Sequence, residues 1–355
     1  MTKSNDMKDR KFLIFDGISG VAMGKDIHET LTALGVGATY VDGQQLARKT
    51  MYKIRGAVAK SYNKIRRKDG FYHFPKARSR SILDVIKAEQ PDCILVIGFL
   101  YRFISPADVK ALKDKLNFKL YLYDTDSCNF YGRRREFIFF LENELTAYDH
   151  IFSFSKVTTD FFRKVRGLNA DYLPFGACPI PIQNHQEELD VLFVGSGDLR
   201  RIFMLEKIND HLTVYGKRWR RNEAFMSPQL KSKIHHMPVW GDELHRLLQR
   251  SKIVLNITRS DFYGAETGIN LRIFEALSAG CFLLTDYSDE LNALFKVGTE
   301  IETYHSSDEL HAKVHYYLSN DEERRAIAHK GLERFQRDFS WEAIMKKMLR
   351  LIEAL

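Results

Sequence analysis

Short apolar runs alternate with segments of helical period along most of the chain. Lys11-Phe-Leu-Ile-Phe-Asp16 reads as a buried strand that stops at Gly17. Asp26–Leu34 predicts a helix closed by Gly35, and Ala38–Asp42 a second strand. A basic stretch of mostly helical pattern follows. Ser81–Lys87 is helical, and Pro91 breaks the chain before the strand Cys93–Ile97. Pro106 opens a helix through Lys115. The strand Lys119–Tyr123, a helix from Arg134 to Thr146 and the strand Ile151–Phe154 complete the first half. Alternation of this kind predicts a parallel sheet covered on both faces.

The pattern pauses at Leu173–Pro181, which holds three of the eight prolines, and at the polar residues Gln183–Glu188. This is the best linker in the chain. The alternation then restarts. Strands are expected at Asp190–Val194, His211–Tyr215, Lys252–Asn256 and Cys281–Thr285, with helices from Leu199, over Asp242–Gln249 and over Asn270–Ala279. The last residues are helical: Ser307–Leu318, Asp321–Asp338 and Ser340–Leu355, with Ser307 and Ser340 as capping residues. The expected organisation is an N-terminal Rossmann-like domain over 1–178, a linker at 179–189 and a C-terminal Rossmann-like domain over 190–338. A final helix over 339–355 is expected to pack back on the first domain. Two doubly wound halves facing one another place the site in the cleft between them, beyond the carboxyl ends of the strands.

Composition narrows the class. With 45% hydrophobic and 28% charged residues the 355-residue chain is ordinary for a globular protein, and no run of about 18 apolar residues predicts a membrane span. Cys93, Cys128, Cys178 and Cys281 lack metal-site spacing and fit a reducing cytoplasm. The net charge of +8 is uneven: Arg48–Arg80 carries twelve Lys/Arg and one acid, a local net of 12 − 1 = +11, so the remainder is 8 − 11 = −3. Tyr52, Tyr62, Phe71, Tyr72 and Phe74 are interleaved with these cations. Such a patch suits anionic lipid headgroups, a phosphate-bearing acceptor or nucleic acid, or is simply a solvated helix face.

The chemistry concentrates between Ile253 and Asp286. A strand ends at Asn256-Ile-Thr-Arg259, the loop Ser260–Gly268 includes Tyr263, and a short helix begins near Asn270. N–H groups at a helix start form an anion site suited to a diphosphate, and Gly268 lets backbone approach a ligand closely. Arg272 and Glu275, three apart, share a helix face. Gly195-Ser-Gly197 turns into a helix bearing Arg200 and Arg201, and Lys217 and Arg218 follow the strand end at Gly216. In the first half, Asp16-Gly17 is a strand-to-helix turn, and His28 is a candidate base or a surface histidine. Asp124-Thr-Asp126 after a strand resembles the metal-binding Asp-x-Asp of GT-A glycosyltransferases, which implies Mg or Mn but also a one-domain fold, so the two carboxylates are read as cleft residues on the acceptor side.

Asn270-Leu-Arg-Ile-Phe-Glu-Ala-Leu-Ser-Ala-Gly280, followed by Cys-Phe-Leu-Leu-Thr-Asp286, resembles the donor-site motif of GT-B glycosyltransferases. It is most similar to the CgeB-like branch of the "glycosyl transferases group 1" families. Leu173-Pro-Phe-Gly176 and Leu192-Phe-Val-Gly-Ser-Gly197 extend the resemblance. It implies an α/β, GT-B fold of two Rossmann-like domains and a cytoplasmic hexosyltransferase-type enzyme. The implied reaction moves a sugar from a UDP- or GDP-sugar to a glycan, lipopolysaccharide or lipid-linked acceptor. Retention, no metal and no cofactor are also implied. Glu275 then accepts from the ribose hydroxyls, and Arg200 and Lys217 meet the diphosphate. Gly197, Asn256, Arg259, Tyr263, Gly268, Asn270 and Arg272 complete the donor site. Glu275 matches the second Glu of the family's motif; the first, eight residues earlier, is Thr267 here, with Glu266 one residue away. Thr267, Asp124 and Asp126 are the catalytic candidates, and Asp16 and Gly17 lie on the acceptor side. The basic segment Arg48–Arg80 suggests the inner face of the plasma membrane, and nucleic acid is not expected as partner. A GT-B sugar-nucleotide epimerase and an anion- or nucleic-acid-binding protein remain as alternatives.

Overall fold

The computed structural model describes residues 9–18, 23–65, 70–127, 133–183, 186–267 and 269–355. The chain divides into two units, one of Met1–Pro174 with Met345–Leu355 and one of Phe175–Ile344. Each is built on a six-stranded sheet with every neighbouring pair parallel.

The first sheet comprises β1 (Lys11–Asp16), β2 (Gly37–Asp42), β3 (Cys93–Ile97), β4 (Lys119–Asp124), β5 (His150–Ser153) and β6 (Ala170–Tyr172), in the order β2-β1-β3-β4-β5-β6. β3 is buried along its whole length and β4 along all but Lys119, which is why these segments read as continuous apolar runs. Leu13, Phe15, Val96 and Leu122 anchor the core with Ile82, Ile86 and Val109. The register sets Asp16 opposite Asp42 and Ile97, and Asp124 opposite Ser153, so the strands end together along one edge.

The second sheet comprises β7 (Leu189–Val194), β8 (Leu212–Tyr215), β9 (Ile234–His235), β10 (Ser251–Asn256), β11 (Leu283–Asp286) and β12 (Glu302–Tyr304), in the order β12-β11-β10-β7-β8-β9. Strand order reverses between β7 and β10, which makes their carboxyl ends the point where a doubly wound sheet opens a crevice. Val191, Phe193, Val214, Ile253, Leu255 and Leu284 fill its core.

The structure departs from expectation where local pattern is weakest. β6, β9 and β12 are edge strands of two or three residues, too short to show a period. The segment expected as one helix from Arg134 to Thr146 is α-helical over Arg134–Phe139, π-helical over Phe140–Glu144 and 3-10 over Leu145–Ala147. Within it Glu144 turns inward to accept from the Leu100 and Tyr101 N–H groups and from the Tyr148 hydroxyl. The cap expected at Ser307 is Ser306, whose side chain accepts from Glu309 N–H. Among the described residues no helix is long and apolar enough to cross a membrane.

Candidate functional site

In the second unit the turn after β7 is Gly195-Ser196-Gly197. Trp219 packs beneath it, fully buried, and donates its indole N–H to Gly195 C=O at 3.1 Å. A Cβ on Gly197 would lie 2.9 Å from the Trp219 ring, and one on Gly216 would lie 1.9 Å from Gly195 O. Asp198 then caps the helix Leu199–Glu206 by accepting from Arg201 N–H.

Arg201 closes the switch point. Its guanidinium donates twice to Ile257 C=O, at 2.9 and 2.7 Å, and once to Ser196 C=O at 2.8 Å, which ties the β7 turn to the end of β10. Burial pushes its pKa down to about 10, so it remains charged at neutral pH. Arg200, expected at the diphosphate, is otherwise engaged. It donates to Thr258 C=O at 2.9 Å, pairs with Asp286 and lies 3.7 Å above the Tyr263 ring. Burial works against its charge, but the hydrogen bond and charge of Asp286 outweigh that and hold its pKa above the usual arginine value. Asp286 also accepts from Thr258 N–H. Arg200 therefore shapes the loop under Tyr263, a 45% exposed ring, with Nη1 and Nη2 both engaged within the protein.

The helix Leu271–Ser278 starts beside this corner. Asn270 is its cap: Oδ1 accepts from Arg272 N–H at 3.0 Å, and Nδ2 donates to Asn256 Oδ1 at 2.9 Å. Asn256 is buried at the end of β10 and donates to Thr285 Oγ1. This chain of amides fixes the helix start against the strand ends. Arg272 Nη1 lies 2.8 Å from Glu275 Oε2, an ion pair with both side chains mostly covered. Arg272 Nε and Nη1 are nonetheless out of water without a hydrogen-bond partner, because the contact is close but off the donor axis. Such donors are costly unless something fills them. Arg259 is half-buried and Lys217 exposed on neighbouring loops. Thr267 is half-buried, with N–H and hydroxyl both turned to Phe262 C=O at 3.0 and 3.5 Å, while Glu266 is exposed at φ 51°. Gly268 lies outside the described residues.

In the first unit, Asp16 ends β1 and is buried. It accepts from Ile18 N–H at 2.9 Å and from Tyr40 hydroxyl at 3.0 Å, and burial raises its pKa. Gly17 packs where a Cβ would sit 2.8 Å from Phe99 O. Asp124, expected as a catalytic candidate, is 1% exposed. Its oxygens take the hydroxyls of Ser127 and Ser153 and the N–H groups of Asp126 and Ser127, and burial raises its pKa. It organises the turn after β4 rather than facing a substrate. Asp126, half-buried, is the member of the pair nearer the surface. His28 bonds to Ala38 C=O, opposite Phe12 and so at the far end of β1 from Asp16. It is a structural histidine. Sequence reasoning named Arg201 only as a cation of the helix after Gly197 and missed Trp219 and Asp286; their roles arise from pairings 24 to 86 residues apart, which no local pattern announces.

Residues 200–350 match a family model described as glycosyl transferase-like. Among solved structures, sucrose-phosphate synthase from Thermosynechococcus elongatus is similar over 97% of this chain and 99% of its own, with TM-score 0.66 and 14% identity. A glycosyltransferase from Rickettsia africae matches over 98% of both chains, with TM-score 0.63 and 11% identity. HepE of Anabaena, solved with UDP-glucose, matches over 97% of this chain and 100% of its own, with TM-score 0.65 and 8% identity. No curated protein sequence matches the chain.

Proposed function

We propose that this chain, a glycosyltransferase of the GT-B fold, transfers a hexose from a UDP- or GDP-sugar to a glycan or lipid-linked acceptor with retention and without a metal. The observation that carries the reading is Arg272. A largely covered cation, whose Nε is buried with no hydrogen bond and whose Nη1 has its 2.8 Å ion-pair contact with Glu275, stands in the first turn of a helix whose start is locked at the switch point of the second sheet. A diphosphate fills the Nε donor and adds the favourable end of the helix dipole. HepE, of the same fold, binds UDP and UDP-glucose, which supports a uridine donor here.

In this reading Glu275, one turn further along, accepts the ribose hydroxyls. Asn256, Arg259, Asn270, Lys217 and Tyr263 wall the nucleotide, and Gly197 lets the backbone come close. Charge that develops on the leaving diphosphate is met by Arg272 and the helix N–H groups, which suffices without a Lewis acid. Thr267 takes the sugar-end position, with its hydroxyl released from Phe262 when donor binds. Asp126, Asp16 and Gly17 serve the acceptor side.

A thermal-shift series with UDP, GDP and their glucose conjugates tests this, with Glu275→Ala alongside. One nucleotide is expected to raise the melting temperature of the parent chain and to do so far less for the variant. A chain that no nucleotide stabilises, or a variant stabilised equally, would sink the site. Incubation with donor alone separates epimerase chemistry, which would return an altered donor. Turnover in EDTA reports on the metal, and the anomeric configuration of the product on retention.

A further inference from the structure

The helix Tyr52–Ile65 is held to its unit in an unusual way. Its single buried residue is Ala59. The attachment is otherwise polar and aromatic. Asn63 exchanges two hydrogen bonds with the Tyr72 backbone, Arg135 donates to Asn63 C=O, Tyr52 stacks on Phe74, and Arg55 lies 4.4 Å over the same ring. The large apolar side chains are spent on the outside: Ile54 is 58% exposed, Val58 64%, Tyr62 42% and Ile65 86%. At about 100° per residue these four fall within roughly 80° of arc, one continuous stripe. By the same rotation Lys53, Lys60 and Lys64 are exposed on a neighbouring sector, about 80° to 120° round the helix from Ile54, and the helix contains no acidic residue.

We propose that this face docks on an anionic lipid bilayer. The helix lies in the plane of the interface, with Ile54, Val58, Tyr62 and Ile65 entering the acyl boundary and the flanking lysines meeting headgroup phosphates. A helix with an exposed aliphatic stripe on one sector and exposed cations on the next has two kinds of surface to satisfy at once, and an anionic membrane interface offers both. A phosphate backbone of nucleic acid offers only the charge and would leave Ile54, Val58 and Ile65 in water. The inference goes beyond the donor site and stands whether or not that reading holds.

Cosedimentation of the full chain with vesicles tests it. Vesicles of phosphatidylcholine mixed with phosphatidylglycerol are expected to carry the protein down, and pure phosphatidylcholine is not. Replacing two members of the stripe, Ile54→Glu with Val58→Glu, is expected to weaken binding by roughly tenfold or more, because apolar burial and charge both turn unfavourable. Reversing the flank, with Lys53, Lys60 and Lys64 each changed to Glu, is expected to weaken it by at least as much and to remove its dependence on salt. Retained far-UV circular dichroism and cooperative melting establish that each variant is folded. Because the two variants alter separate faces, either alone decides the question if the other does not fold. The proposal is overturned if the parent chain does not bind the anionic vesicles, or if a folded variant binds as the parent does. It is also overturned if the parent prefers a DNA or RNA duplex and the Ile54→Glu, Val58→Glu variant binds that duplex unchanged.

Discussion

The first sheet ends β1, β2 and β4 on carboxylates, Asp16, Asp42 and Asp124; along the corresponding edge of the second stand Arg200, Arg201 and Arg272. Both units use a glycine turn after the first strand and parallel strands that finish in register. The fold alone therefore does not distinguish them; the charge at the strand ends does. In the second unit, acids are present but committed: Asp198 caps a helix, Asp286 holds Arg200, and Glu275 sits against Arg272. Among the three cations, Arg272 keeps a buried Nε that makes no hydrogen bond. In the first unit, Asp16 and Asp124 are themselves filled by hydrogen bonds, and burial raises both pKa values. The two edges therefore differ in the sign of the charge gathered at their strand ends, and the proposed donor site lies on the cationic one.

The contrast can be broken at its strongest point first. Arg201→Ala removes the guanidinium that ties Ser196 to Ile257 and leaves buried carbonyls unpaired. A loss of roughly 3–5 kcal/mol is expected in urea unfolding, confined to the transition that includes the second unit. Next is Glu144, the buried acid of the first unit. Burial raises its pKa from 4.5 to about 7, so its contribution to stability is full below about 4.5 and is lost as pH rises through about 7. Glu144→Gln should abolish that decline, which spans on the order of 3 kcal/mol, in denaturation curves taken across the range. Arg272→Ala is expected to weaken UDP binding by roughly 10–100-fold in calorimetric titration while leaving the melting temperature of the free chain nearly unchanged. The smallest effect sharpens the comparison: Asp16→Asn should leave the UDP affinity within about twofold, because the residue belongs to the opposite edge, yet lower the rate of transfer to acceptor. Equal losses of UDP affinity in Asp16→Asn and Arg272→Ala would erase the distinction between the two edges.

Much of this architecture is legible in the chain. β1 and β3 fall on the runs Lys11–Asp16 and Cys93–Ile97 because strands buried on both faces must be apolar throughout. The Asn270 helix start is legible too, since a capping amide before Leu-Arg-Ile-Phe is a local signal. What escapes is whatever depends on distant partners. Nothing near Arg200 indicates that Asp286, 86 residues later, takes its charge, so its neighbour Arg201 and the loop cation look interchangeable in sequence. Asp124 has the spacing of a ligand pair, yet Ser153, from the next strand, fills it. The π-helical segment ending at Glu144 likewise answers to N–H groups more than forty residues earlier. Motif spacing shows which residue types are gathered, and tertiary contacts decide which of them keep a free donor.

The last helix, Trp341–Glu353, begins in one unit and ends in the other. Trp341 N–H bonds to Ala177 C=O and Ala177 N–H to Phe339 C=O, so the chain enters and leaves the second unit at adjoining points. The second unit is in effect an insertion within the first. During synthesis the first unit emerges early but lacks Met345, Met348 and Ile352, three buried side chains, until the whole insertion has been made. Its completion is therefore ordered in time. The acidic edge is translated first, but the unit that carries it is complete only after the cationic edge has been made.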